Sequence, residues 1–135
     1  MANKIYPKFK KQLWQAGVNL SSADVRAILV DTAVYTYDDS HEFLSSVPSG
    51  ARGAVSSSLT GKTFDDTGAF KADEKVFASV PAGDPLSAII LYVHTGSDAT
   101  ARLVLYLDTG ITNLPVTPDG RDIKYTPASG GIARL

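Results

Sequence analysis

The segments Ser87–Thr95 (SAIILYVHT) and Ala101–Asp108 (ARLVLYLD) constrain this chain more than any other feature. Both are apolar runs of strand length, and residues 96–100 between them (GSDAT) are small and polar. That pattern predicts an antiparallel hairpin. Side chains alternate along a strand, so Leu103, Leu105 and Leu107 face one way and Val104 and Tyr106 the other. Both faces are apolar and both need cover. One cover is expected to be a second sheet, the other a helix, a long loop or a partner chain.

Other segments repeat the β signal. Val25–Thr32 (VRAILVDT) is apolar on both faces and reads as a central strand that Ala33–Tyr37 prolongs. Ala54–Leu59 is a weaker strand. Lys75–Val80 sets Val76, Ala78 and Val80 against Phe77 and Ser79, the pattern of a half-buried strand. Arg121–Thr126 and Ile132–Leu135 close the chain, with a turn over 127–131. Turns are expected at Asp38–Ser40, Thr60–Gly68, Pro81–Pro85 and Asn113–Gly120, and Ser40 is expected to cap a helical turn over His41–Leu44.

The N-terminus differs. Pro7 suits a first helical position, Phe9, Leu13 and Trp14 recur at helical spacing, and Gly17 is placed to stop the helix. This amphipathic helix over 7–16 is expected to lay its Phe and Trp on the chain's own core in preference to a neighbouring subunit. The fold class is therefore mainly β: an antiparallel, jelly-roll-like β-sandwich with one short N-terminal helix and about seven or eight strands. Residues 1–20 form an N-terminal arm and 21–135 the sandwich domain.

Composition narrows the function classes. The 135 residues carry 13 Lys and Arg against 14 Asp and Glu, without the basic excess that phosphate binding requires, so no nucleic-acid partner is expected. The one basic cluster, Lys4, Lys8, Lys10 and Lys11, reads as a solvated helix face. There is no cysteine, which excludes disulfides, thiolate zinc sites and cysteine nucleophiles and suits a reducing cytoplasm. The longest apolar run, Ala88–Val93, is too short to span a bilayer, and the first residues lack a signal-peptide core. A soluble protein with no membrane partner is expected.

Candidate sites each lack a required element. Asp38, Asp39, His41 and Glu42 form the densest cluster of possible cation ligands, and the plainer reading is a capped, solvated turn. His94, at a strand end, reads as a packed edge residue. Gly61-Lys62-Thr63 copies the end of a phosphate-binding loop, but position 56 is Ser56 where the loop needs glycine. Asp65 and Asp66, like Asp73 and Glu74, are sequence neighbours, so on a strand they would face opposite ways. Pro118–Asp122 lacks the alternating carboxylates and closing glutamate of a calcium loop. Tyr35, Tyr37, Tyr92, Tyr106 and Tyr125 are possible sugar-stacking rings, with core packing the stronger reading. No catalytic, cofactor-binding or metal residue is assigned, and no enzymatic activity or cofactor is expected.

The order of segments carries more. Val25–Tyr35 (VRAILVDTAVY), His41–Arg52 (HEFLSSVPSGAR), Leu59–Thr63 (LTGKT) and Leu114–Gly120 (LPVTPDG) follow one another with the hairpin between the last two. This succession resembles a family of small virion proteins of tailed bacteriophages with the pattern VLVDT-x-x-Y, HEFLSxxPxGAR, LTGKT and GLPVTPNGGDI. The resemblance runs over nearly the whole chain from about residue 25. Departures are Asn113 where glycine is usual, Asp119-Gly120-Arg121 in place of Asn-Gly-Gly, and Ala128–Gly131 in place of an aromatic ending. The resemblance implies a non-enzymatic structural role as a head cement or decoration protein. Its partners would be the major capsid protein and further copies of itself, as dimer or trimer. Made in the host bacterial cytoplasm, it would come to lie on the capsid surface of the virion. The alternatives are a tail, neck or baseplate component and a virion-displayed receptor- or glycan-binding module.

Overall fold

The structure, a computed structural model, describes residues 3–109, 111, 113–127 and 131–134. Mainly β, with one α-helix, it arranges its strands in antiparallel sheets. The hairpin is its centre. β7 (Ala88–Val93) and β8 (Leu103–Leu107) pair through Ile89↔Leu107, Ile90↔Tyr106 and Leu91↔Leu105. Gly96 holds a positive φ of 90° in the connection, a backbone that favours glycine. β2 (Val25–Val30) runs along the other side of β7, from Val25↔Val93 to Val30↔Ala88. β1 (Lys4–Ile5) and β3 (Arg52–Val55) form the edges, giving the order β1-β8-β7-β2-β3.

Every residue of β8, and five of the six in β7, is buried. Burying one such side chain fully contributes roughly 1.5–3 kcal/mol, so the three central strands are the main source of stability. The register puts Leu105, Leu91 and Ala27 on one face and Tyr106, Ile90 and Ile28 on the other. The tyrosine face is covered by Tyr35 and Tyr37, whose rings lie 6.2 and 5.3 Å from that of Tyr106. A three-stranded sheet of β4 (Thr63–Phe64), β5 (Ala69–Lys71) and β10 (Ala133–Arg134), in the order β10-β5-β4, adjoins β8, where Phe70 and Ala133 share a cleft with Leu105. β6 (Lys75–Phe77) and β9 (Ile123–Tyr125) make a two-stranded ribbon.

Several sequence expectations shift. The β2 strand stops at Val30, because the Asp31 carboxylate accepts from the Ala33 amide and its carbonyl from Val34 and Tyr35, closing a turn where Ala33–Tyr37 was expected to extend the strand. The turn expected over His41–Leu44 is a 3-10 turn at Leu44–Ser46, which Ser40 does not cap. Ala54–Leu59 is regular strand only as far as Val55; beyond it Ser56 and Leu59 still donate backbone bonds to Ala27 and Val25. In the third segment, only Lys75–Phe77 is strand. Val76 is 46% exposed while Phe77 and Val80 are both buried, because Ser79 takes a positive φ of 48° and breaks the alternation. The turn expected over 127–131 falls mostly on residues 128–130, outside the described residues, as does Leu135.

The helix α1 spans Pro7–Trp14, with Pro7 in its first turn as expected. Phe9 is buried and Leu13 packs on the core. Trp14 does not: it is 90% exposed. At about 100° per residue, Trp14 sits roughly 140° round the helix from Phe9, outside the stripe that Phe9 and Leu13 share. Residues of the expected N-terminal arm are bound into the main sheet through β1 and through Tyr6, whose amide donates to the Val104 carbonyl at 3.1 Å.

Candidate functional site

The sequence candidates disperse. Asp38 accepts from the Ser40 amide at 2.7 Å, and the Ser40 hydroxyl together with that amide holds its carboxyl below the usual range. Asp39 accepts from the Tyr37 hydroxyl at 2.6 Å. Glu42 pairs with Arg102 at 2.9 Å and with Lys8 at 3.8 Å. His41 meets Tyr35. Four neighbours in sequence thus turn to different partners, and among the described residues no three His, Asp or Glu side chains gather to hold a metal ion. Asp65 is spent inside its own turn, accepting from Thr67 and the Ala69 amide, and these bonds hold its carboxyl well below the usual range. Asp122 accepts from the Ser79 amide at 2.8 Å, and Asp119 pairs with Arg121. Glu74 pairs with Lys124.

The Lys62 ammonium donates to the Leu20 carbonyl at 2.7 Å and to that of Ala23. It straps residues 20–23 to the body, with no phosphate-binding geometry around it. Gly61 has a φ of 65°, and a Cβ there would lie 2.3 Å from the Asp73 carboxylate, so its glycine serves the turn. Arg52, which ends the HEFLSSVPSGAR segment, donates to the Leu44 carbonyl at 2.8 Å, to that of Val47 at 2.7 Å and to Asp98 at 2.8 Å. The guanidinium fork closes this loop upon itself and ties it to the hairpin turn. Asn113 occupies a positive φ of 75°. Asparagine tolerates that conformation best after glycine, which explains why it can stand where the resembled pattern has glycine.

The tyrosines offer no exposed stacking platform. Tyr35, Tyr92, Tyr106 and Tyr125 are buried and Tyr37 is half-buried. Burial raises their hydroxyl pKa values; that of Tyr106 is pushed up to about 12 by burial and by Asp108. The hydroxyl of Tyr6, itself 0% exposed, lies 2.8 Å from that of Tyr35, which lies 2.8 Å from His41 Nδ1. Sequence reading passed over Tyr6, because nothing in Ile5-Tyr6-Pro7 signals that the chain enters the core there.

One open cleft on the surface is apolar. Phe9 and Leu13 of α1, Val18 and Leu20 after it, and Phe64 and Phe70 of the small sheet line a cleft of about 510 Å³ floored by Val104 and Leu105. Phe64 is 47% exposed on one wall, and Leu13 and Ala16 line the other; Trp14, on a different side of the helix, is not part of the lining. Such a surface suits protein contact better than chemistry on a polar substrate, since no ionisable side chain lines it. Among the described residues no helix is long and apolar enough to cross a membrane.

No family model matches the chain, and no curated protein matches it.

Proposed function

We propose that this chain is a non-enzymatic structural protein of a tailed-phage particle, a jelly-roll-like β-sandwich that binds the outer capsid lattice as cement. One observation carries the reading. The segments that resemble the virion family act here as fasteners. VRAILV is β2, an interior strand of the main sheet, the Arg52 fork closes HEFLSSVPSGAR, Lys62 of LTGKT straps 20–23, and Val116 of LPVTPDG exchanges backbone bonds with Leu86 at 2.8 and 2.9 Å. A protein selected for rigid display would retain such fasteners; they supply no reacting group.

Cement stabilises a shell by binding the assembled state in preference to its parts. Purified protein is expected to bind expanded empty capsids of its own phage and to raise the temperature at which they break. Absence of binding would sink the proposal. Density over the tail or neck, in an image reconstruction of the virion, would transfer the role to that location.

A further inference from the structure

We infer that the open edge of β1 binds an extended segment of a partner protein in which acidic and aliphatic residues alternate. β1 is the outermost strand of the five-stranded sheet and pairs with β8 on one side; among the described residues no strand pairs with its other side. The Tyr6 amide donates inward to Val104, and Lys4, two residues back, lies in register with Tyr106. Backbone groups of an antiparallel strand alternate in direction, so the Ile5 N–H and C=O point away from β8. Lys4 and Ile5 line a cavity of about 500 Å³. Leu105 and Leu107 of β8 give it aliphatic surface. So do Ile132 and Ala133 at β10, itself the outermost strand of the small sheet.

The charge at this edge names the chemistry of what pairs with it. Lys4 and Lys10 both line the cavity, both are exposed, and neither has a carboxylate partner among the described residues. Lys8, by contrast, is paired with Glu42. Asp39, the one carboxylate among the lining residues, is engaged by the Tyr37 hydroxyl at 2.6 Å. No Asp or Glu precedes Asp24 in the chain. An edge lysine repels a like edge and so disfavours pairing with a second copy. It attracts an acidic residue placed directly opposite. Lys4 and Ile5 are neighbours on a strand and project to opposite faces. The complementary segment therefore sets a carboxylate beside Lys4 and an aliphatic side chain beside Ile5. Lys10 takes a further carboxylate. Main-chain bonds to Ile5 supply affinity, and the alternating side chains supply specificity.

The probe is a capped octapeptide alternating glutamate and valine, added to the full-length chain at low salt. Amide NMR shifts are expected at Lys4, Ile5 and Ala133, and hydrogen exchange at the Ile5 amide is expected to slow. Slowing at that amide separates strand pairing from attraction between loose charges. Lys4→Glu with Lys10→Glu should raise Kd about tenfold or more, and leave the melting temperature unchanged because neither lysine has an ion pair to lose. Raising the salt to about 1 M, where the screening length is about 3 Å, should weaken binding too. No binding at millimolar peptide overturns the inference. So does equal binding of a lysine–valine peptide, or binding with the Ile5 amide still exchanging freely. Dodecanoate held as tightly as the peptide overturns it as well, and makes the cavity a site for small amphipathic anions. The isolated chain is used throughout, so these outcomes are separate from whether the protein binds capsids.

Discussion

Replacing Tyr35 by phenylalanine should destabilise this protein more than replacing Tyr6, although each change removes one hydroxyl. The three groups Tyr6, Tyr35 and His41 form a chain with 2.8 Å at each link. One order satisfies all of them: Tyr6 donates to Tyr35, and Tyr35 donates to His41 Nδ1. In the reverse order the Tyr6 proton has no acceptor, at a position with 0% exposure. Consistent with the first order, burial and then its bond to Tyr35 push the Tyr6 hydroxyl far above its ordinary value. Tyr6→Phe removes the end donor and leaves Tyr35 still donating, a loss of about 0.5–1.5 kcal/mol. Tyr35→Phe strands the buried Tyr6 donor, which costs about 1–3 kcal/mol. Once Tyr35 is gone, Tyr6→Phe removes the stranded group, so the second change should cost less than about 0.5 kcal/mol. Urea denaturation followed by circular dichroism measures all three variants, and each kcal/mol should lower Tm by roughly 3–5 °C in a chain of this size. A larger loss for Tyr6→Phe than for Tyr35→Phe, or a double variant equal to the sum of the singles, would refute the donor order.

Arg52→Lys keeps the charge but loses the fork, so stability should fall by about 1–3 kcal/mol, with earlier proteolytic cleavage within 44–51 than elsewhere. A Cβ on Gly53 would meet the buried Leu86 side chain at 2.3–3.1 Å, so Gly53→Ala should cost about 1–3 kcal/mol by overpacking, whereas Gly83→Ala, in open space, should leave the melting temperature unchanged. The Asp24 carboxyl is held below its ordinary value by Arg26 and Ser58, and Asp65 by its own turn. Their stabilisation is present above the unfolded carboxylate pKa of about 3.9 and is lost as pH falls through the lower folded values, so melting scans should show a drop below about pH 4. The buried tyrosines act at the other end. Their raised values leave stability intact below the unfolded pKa of about 10, and it falls as pH rises from there toward the folded value of about 12 for Tyr106, with tyrosinate absorbance appearing in step with unfolding.

Local pattern by itself determined the β7–β8 hairpin, the central place of β2, the proline start of α1 and the mainly β class. In each case a short window holds the whole cause: a period-two apolar run, a polar connection of small residues, or a ring that presets φ. The absence of cysteine and of a basic excess was likewise legible from composition alone. Tertiary structure decided what windows cannot contain. Trp14 reads as core by spacing, yet the curvature of one helix turn points it to solvent, and only the position of the sheet shows which side that is. Asp38, Asp39, His41 and Glu42 look like a cluster in sequence, and their partners, among them Tyr35, Arg102 and Lys8, come from elsewhere in the chain and pull them apart. The fork of Arg52 and the strap of Lys62 depend on backbone carbonyls, which every residue has and which no sequence pattern marks. The apolar cleft is the clearest case. Its walls are drawn from α1, the segment after it, β4 and β5, and its floor from β8, so it exists only once the long-range antiparallel pairing has brought them together.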